Sequence, residues 1–352
     1  MCRIAYYAHS EGSGHCRYAD YVAGLLGGEP TIYTSRRHDF APGRRVRYLS
    51  PEDVLPADQP RYLINTPPHL HYSPVGLASI RARAVELLSR LQAERTDVVI
   101  VDVSAEVAGL LRCASVPYVY VRMFGERSDP GHVAAYRGAV ALVAYYPEEL
   151  EAVTTPGWLR AKTYYLGFRP VAPGGGPAPR PLRADRGRLV LVATGYGRCP
   201  EVEAALPALR RRFAGDTLVG VGNLGPEAAG YLDRYLGPVD DLPALLPAAD
   251  VVVGVCGSNL TAEVVRAGRP FVPLPCARPF REQEAMAEAL VAAGAGNDLA
   301  AVLSGTAPAA PPPALVDRLN RSDYARFFRA LGAATDWRQL LNRNLLNDAR
   351  RA

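Results

Sequence analysis

The sequence has almost no lysine. Lys162 stands alone among 40 basic side chains, and the others are arginines, the imbalance a GC-rich coding bias produces. Cysteine is sparse as well. Cys2, Cys16, Cys113, Cys199, Cys256 and Cys276 contain no CxxC pair, and no His/Cys cluster has zinc spacing, which excludes the common zinc modules. The six are expected to be reduced thiols. No apolar run approaches the ~20 residues that span a bilayer, and the short apolar opening stops at His9 and Ser10 without a cleavage-site pattern. A cytoplasmic protein is expected. An excess of one charge sign is also missing: 40 basic side chains face 35 acidic ones. The halves on either side of Pro170 are each close to balance, so nothing demands a nucleic-acid partner. The formal +5 is concentrated in the segment from Arg318 onward, where eight arginines meet Asp323, Asp336 and Asp348.

What is present is the content of a folded protein: 49% hydrophobic and 21% charged residues over a 352-residue chain. One core stops growing near roughly 250–300 residues, so about two domains are expected. Apolar runs at 3–8, 31–34, 46–49, 97–103, 118–122, 140–146 and 163–166 alternate with helical patterns, best seen at 16–26 and 77–94. A Pro/Gly-rich stretch at 170–181 follows and reads as a linker. The alternation then restarts, with strands at 188–193, 217–221, 250–255 and 271–274 and helices at 201–213, 261–267 and 281–293. The fold class is α/β, with two doubly wound halves and a cleft between them. In such sheets ligands bind beyond the carboxyl ends of the strands.

Four segments carry chemistry. The first, His9-Ser-Glu-Gly12-Ser13-Gly14-His15-Cys-Arg17, leaves a strand and opens a helix. Its glycines allow a tight turn and close backbone approach. His15 at the helix start could take a proton near neutral pH. A plain turn with a capping histidine is the alternative. The second, Thr194-Gly195-Tyr-Gly197, repeats the strand-to-glycine step and suits phosphate contact. It lacks both GxGxxG and a P-loop Gly-Lys-Ser/Thr, which argues against a standard dinucleotide fingerprint and ATP hydrolysis.

The third segment runs from Val239 through Asp240 and Asp241, where backbone could meet a base edge. The aspartates read more simply as helix caps. The fourth is the most specific: Gly257-Ser258-Asn259-Leu-Thr261-Ala-Glu263, then Gly268-Arg-Pro270, then Glu282-Gln283. A carboxylate early in a helix can accept both ribose hydroxyls, and a carboxylate beside an amide suits sugar hydroxyls.

These residues resemble the GT-B nucleotide-sugar glycosyltransferases, which have two facing Rossmann-like domains, and within them the MurG-like family that acts on peptidoglycan lipid intermediates. The resemblance is specific at residues 9–17 and 239–296. It implies an acceptor-binding domain over 1–170, a linker over 171–187 and a nucleotide-sugar domain over 188–315. Helices follow over 316–352, the last packing back on the first domain. It implies that Gly257, Ser258 and Asn259 face the diphosphate, with Thr261 in the same signature. Glu263 would hold the ribose, Glu282 and Gln283 the donor sugar, and Val239 the base. Gly195 and Gly197 would join the donor site. His15 would be the acceptor-side base, with Gly12, Ser13, Gly14 and Arg17 in its loop. Arg122 and Glu126, together with His69 and His71, are candidate acceptor contacts.

The implied reaction is an inverting transfer from a UDP-sugar, or a related NDP-sugar, to a hydroxyl acceptor of unspecified type. It needs no cofactor and no metal, and no DxD motif is placed to hold one. The N-terminal loop lacks the GGxGGH-x-x-P form of the lipid-intermediate enzyme and is closer to Gly-x-Gly-His-x-x-Arg, with Arg17 one position early. A similar pattern occurs in a UDP-sugar hydrolase of pseudaminic acid biosynthesis (PseG-like), so hydrolysis stays open beside transfer, as does a non-catalytic nucleotide-sugar-binding protein. Arg36, Arg37, Arg44, Arg45 and Arg47 leave room for a weak peripheral membrane contact.

Overall fold

The computed structural model describes residues 2–11, 14–27, 29–51, 67, 69–170, 182–195, 197–239 and 241–341. Most apolar runs become strands buried on both faces, as parallel strands covered by helices require, while β3 and β7 at the edges of the first sheet are only partly buried. In the first half these are β1 (Ile4–Tyr7), β2 (Thr31–Thr34), β3 (Arg45–Tyr48), β4 (Val98–Asp102), β5 (Tyr118–Arg122), β6 (Ala141–Ala144) and β7 (Thr163–Tyr165). They form one sheet in the order β3-β2-β1-β4-β5-β6-β7. The second half contributes β8 (Leu189–Ala193), β9 (Thr217–Val221), β10 (Arg234–Tyr235), β11 (Val251–Gly254) and β12 (Phe271–Pro273), in the order β10-β9-β8-β11-β12. Every pairing among the described strands is parallel. The short edge strand β10 has no apolar run and was not expected from the sequence.

Side-chain alternation along β1 separates two cores. Tyr6 faces one with Val22, Ile100 and Val121, and Tyr7 faces the other with Leu87, Val101 and Tyr120. The helix Tyr324–Ala333 closes the first of these, burying Tyr324, Phe327, Phe328 and Leu331 against the helix Gly14–Leu26. Each such side chain contributes about 1.5–3 kcal/mol by burial. Gly332 is required at that crossing, because a Cβ there would collide with the Leu26 carbonyl. The chain therefore crosses between domains twice, since the helix Pro313–Leu319 buries Leu315 and Leu319 in the second domain's core. The crossings touch: Asp323 N–H donates to the Leu166 carbonyl at 3.0 Å.

One expectation is corrected. Cys199 and Cys276 form a disulfide, and Cys2, Cys16, Cys113 and Cys256 remain thiols. Spacing gave no sign of it, because the two cysteines lie 77 residues apart and meet only when β8 and β12 bring their loops to the same end of one sheet.

Candidate functional site

In each sheet the strand order reverses between two neighbours, β1 and β4 in the first and β8 and β11 in the second. The crevices beyond those strands are where doubly wound sheets bind ligands. The first, second and fourth of the chemistry-bearing segments leave β1, β8 and β11 at those points.

In the first domain, the helix Gly14–Leu26 begins at Gly14, so His15 sits in its first turn. Gly12 and Ser13 lie outside the described residues. The imidazole Nδ1 is 3.0 Å from Oδ2 of Asp102, the last residue of β4. Asp102 is 2% exposed and His15 15% in its side chain. The same carboxylate oxygen accepts from the Tyr6 hydroxyl at 3.1 Å, and Tyr6 lies 3.2 Å from the Tyr145 hydroxyl. Burial works against a charged His15. Asp102, by charge and hydrogen bond, and then Glu282 outweigh it, with Arg127 opposing, so the histidine's pKa is raised above its ordinary value. With Nδ1 held by Asp102, Nε2 is the nitrogen that can take a proton from a substrate.

The turn after β4 aims Asp102. Val103 takes a left-handed backbone (φ 56°), unfavourable for a β-branched residue. Tyr120 donates to its carbonyl at 2.5 Å, and Ser104 caps the helix Ala105–Cys113 by accepting from Val107 N–H. Asp102 was missed in the sequence, where it is merely the polar end of an apolar strand.

In the second domain, the helix Ser258–Ala267 follows β11 and presents free N–H groups and a positive dipole end. A Cβ at Gly257 or Gly195 would meet open space, while one at Gly197 would be in ordinary van der Waals contact with the Arg278 guanidinium. Ser258 is half-buried and Asn259 exposed. Thr261 is buried, and its hydroxyl has no hydrogen-bond partner among the described residues. Glu263 is half-buried. Burial raises its pKa above the usual carboxylate range, with Arg266 opposing, Asp241 adding, and Arg169 and Arg17 opposing. Arg17 belongs to the first domain's leading helix, so the two halves meet electrostatically here. Val239 is partly buried against the second core. Asp241 accepts from Ala244 N–H at 3.2 Å, closing a turn, while the next helix begins only at Leu246, so Asp241 is not the helix cap expected of it. Asp240 lies outside the described residues.

The loop after β12 reaches the first domain. Gln283 is buried, and its Oε1 accepts from the Cys276 and Cys256 N–H groups at 3.0 and 3.2 Å. Glu282 pairs with Arg127 of the first domain at 3.1 Å. Phe280 accepts at its carbonyl from Glu126 N–H at 2.7 Å, and the Glu126 carboxylate pairs with Arg281. Gly125 (φ 102°) permits this approach, since a Cβ there would meet the Phe280 carbonyl. The Phe280 ring lies against His71 and His132, whose Nδ1 atoms are held at 2.6 Å by Glu106 and Asp129. Glu126 and His71 thus sit at a domain contact, and His69 is exposed. Arg122 is elsewhere: it is buried at the end of β5, bonded through Nη1 and Nη2 to Glu151 and through Nη1 to Thr163.

Among the described residues, one His/Cys/Asp/Glu group is close enough to surround an ion, Cys199, Glu201 and Cys276, and its two sulfurs are bonded to each other. No described helix is long and apolar enough to cross a membrane. The five clustered arginines have internal partners. Arg44 pairs with Asp20, and Arg45 and Arg47 pair with Glu94. Arg36 donates to the Ser10 carbonyl, and Arg37 lies over Tyr48.

No family model matches the chain. Over 178 residues it is 32% identical to a UDP-N-acetylglucosamine–N-acetylmuramyl-(pentapeptide) pyrophosphoryl-undecaprenol N-acetylglucosamine transferase of Methylobacterium nodulans, a match covering 45% of this chain and 47% of that protein. The matched segment thus spans about half the length of that curated relative. Solved structures align along nearly the whole chain. The spinosyn rhamnosyltransferase SpnG superposes with a TM-score of 0.60 at 20% identity, covering 94% of this chain and 99% of its own. Acinetobacter baumannii MurG gives 0.56 at 13%, covering 97% and 98%. Streptomyces sp. SF2575 glycosyltransferase SsfS6, complexed with thymidine diphosphate, gives 0.60 at 17%, covering 95% and 100%. The chain therefore has the two-domain α/β fold of the GT-B glycosyltransferases, and over the matched segment it resembles the Methylobacterium transferase.

Proposed function

We propose that this chain is a glycosyltransferase that moves a sugar from a pyrimidine nucleoside diphosphate, UDP first among them, to a hydroxyl acceptor. The observation that carries the reading is the His15–Asp102 pair, set beyond the first sheet and within electrostatic reach of Glu282 on the second domain. The acceptor hydroxyl gives its proton to His15 Nε2 as its oxygen attacks the anomeric carbon. The bond from that carbon to the diphosphate oxygen breaks on the opposite face, which inverts the centre. Asp102 stabilises the imidazolium that forms and fixes its tautomer. Charge growing on the leaving diphosphate meets the N–H groups opening the helix Ser258–Ala267, a preorganised site that needs no metal.

Glu263 is assigned to the ribose, and Glu282 and Gln283 to the donor sugar, with Val239 near the base and Gly195 and Gly197 lining the diphosphate side. SpnG has been complexed with thymidine diphosphate and with spinosyn aglycone, and SsfS6 with thymidine diphosphate. Those complexes support a nucleotide site and an acceptor site in a chain of this layout. A cytoplasmic location follows from the donor class.

The test is thermal stabilisation by UDP, dTDP and their sugars. A ligand at 100 times its Kd adds about 2.7 kcal/mol. Stabilisation by UDP or dTDP is expected, and none from any nucleoside diphosphate overturns the reading. With a turned-over donor, NMR of the anomeric proton is expected to show inversion. UDP release that is equal with and without acceptors points to hydrolysis instead.

A further inference from the structure

We propose that Cys199 and Cys276 are a reversible dithiol–disulfide couple whose oxidised form holds the donor-sugar loop against the first domain. Its consequence for donor affinity rests on the function proposed above, and its consequence for the loop does not. Cys199 precedes the helix Pro200–Arg212, just beyond the Gly195–Gly197 turn, and Cys276 lies between β12 and the helix Glu282–Ala292. Around the cross-link, three loops are knitted together. Glu201 Oε1 accepts from Ala277 N–H at 3.0 Å, and Gln283 Oε1 accepts from both Cys276 and Cys256.

From this knot the chain runs four residues to Phe280, which crosses to Glu126, His71 and His132. Phe280 (φ 62°) and Arg281 (φ 50°) are both held in the left-handed region. Side-chain-bearing residues in such backbone are strained and persist only where their surroundings over-determine them. The cross-link is a covalent anchor on the N-terminal side of this pair, and Gln283 and Glu282 anchor the C-terminal side. Removing one anchor lets the strained pair relax, and the contacts that depend on it go with it.

The redox step balances with a dithiol reductant. A thiolate of the reductant attacks one sulfur, the Cys199–Cys276 bond breaks, and a second attack releases the reductant as its own disulfide. The protein gains two electrons and two protons as two thiols. Glu201 Oε2, 3.3 Å from the Cys199 sulfur, is placed to accept the new S–H.

The experiment uses the full chain purified without reductant. Denaturing alkylation and intact mass are expected to count four labels before dithiothreitol and six after. Six labels beforehand overturn the couple, as does stoichiometric zinc held by a protein with those cysteines reduced. Hydrogen exchange, read in oxidised and reduced protein, is expected to speed at Cys276, Ala277 and Glu126 on reduction. Cys199→Ser is expected to show the fast pattern with or without reductant. Unchanged exchange after verified reduction overturns the proposal. UDP affinity is expected to weaken by more than about threefold on reduction, with no effect of reductant on Cys199→Ser. UDP binding that ignores a verified reduction counts against the proposal. Exchange that responds in a protein binding no nucleoside diphosphate counts against the proposed function and leaves the couple standing.

Discussion

Arg127 Nη2 of the first domain lies 3.1 Å from Glu282 Oε2 of the second. The two charges pull His15 in opposite directions, Glu282 raising its pKa and Arg127 lowering it. Arg127 also lies over the Phe280 ring and bonds to the Phe124 carbonyl, so it is fixed from both sides of the domain contact. Arg127→Met leaves Glu282 unopposed. The acid limb of the kcat/KM profile is then expected to move to higher pH, and stability to fall by about 1–3 kcal/mol, discounted for the partial exposure of Glu282. Glu282→Gln is expected to move the limb to lower pH and to raise the donor KM. Profiles measured between pH 5 and 9 check both signs.

His15→Ala is expected to lower kcat about 10²–10⁴-fold. Asp102→Asn preserves shape but removes the anion, so it too loses rate, and its acid limb moves down. Stability supplies an independent sign. The folded pKa of His15 is raised, so its contribution is fully present below the ordinary value near 6.5 and is lost as pH rises through the raised one. Urea midpoints are therefore expected to show a larger cost of Asp102→Asn at pH 6 than at pH 9.

Glu263 has the opposite character, because burial disfavours its charge. At neutral pH and above, the ionised side chain costs the unliganded protein stability. That cost fades as pH falls through the raised pKa and is gone below the ordinary one. Glu263→Gln is expected to raise Tm at pH 8, to leave it nearly unchanged at pH 4, and to weaken UDP binding by about 1–3 kcal/mol. Calorimetry without and with nucleotide separates the two effects. A residue that destabilises the empty protein while serving its ligand is a familiar exchange.

Arg122 and Glu151 form a buried pair that also takes in Tyr146, Thr155, Thr163 and Tyr165. Arg122→Ala strands a carboxylate in the interior, and a loss of about 3–5 kcal/mol is expected in chemical denaturation. The donor KM of whatever remains folded is expected to stay unchanged.

All the strands but the edge strand β10 were legible, most of them because buried parallel strands are continuous apolar runs, and Val98–Asp102 is one such run. The glycine steps after β1, β8 and β11 were legible for a related reason, since each interrupts an apolar run at its carboxyl end. The helix Pro130–Gly138 was not read, although Asp129 followed by Pro130 is a cap with proline at the first helical position, a signal that was there to use. Asp102 could not be assigned from sequence, because its meeting with His15 depends on β4 lying beside β1. The same holds for Arg122, whose partner Glu151 comes from a different segment, and for Cys199 with Cys276. Partners chosen by crossover topology leave no local pattern.

The two crossings between domains lie side by side, joined where Asp323 meets Leu166 and where Gly167 packs against the Arg321 carbonyl. Mechanically, that pair is a double-leaf hinge. Cutting the Pro/Gly-rich stretch after Pro170 would sever one leaf only. No covalent bond would then join the two fragments, which would be held together by the helix Tyr324–Ala333, carried by the C-terminal fragment and packed in the first domain's core.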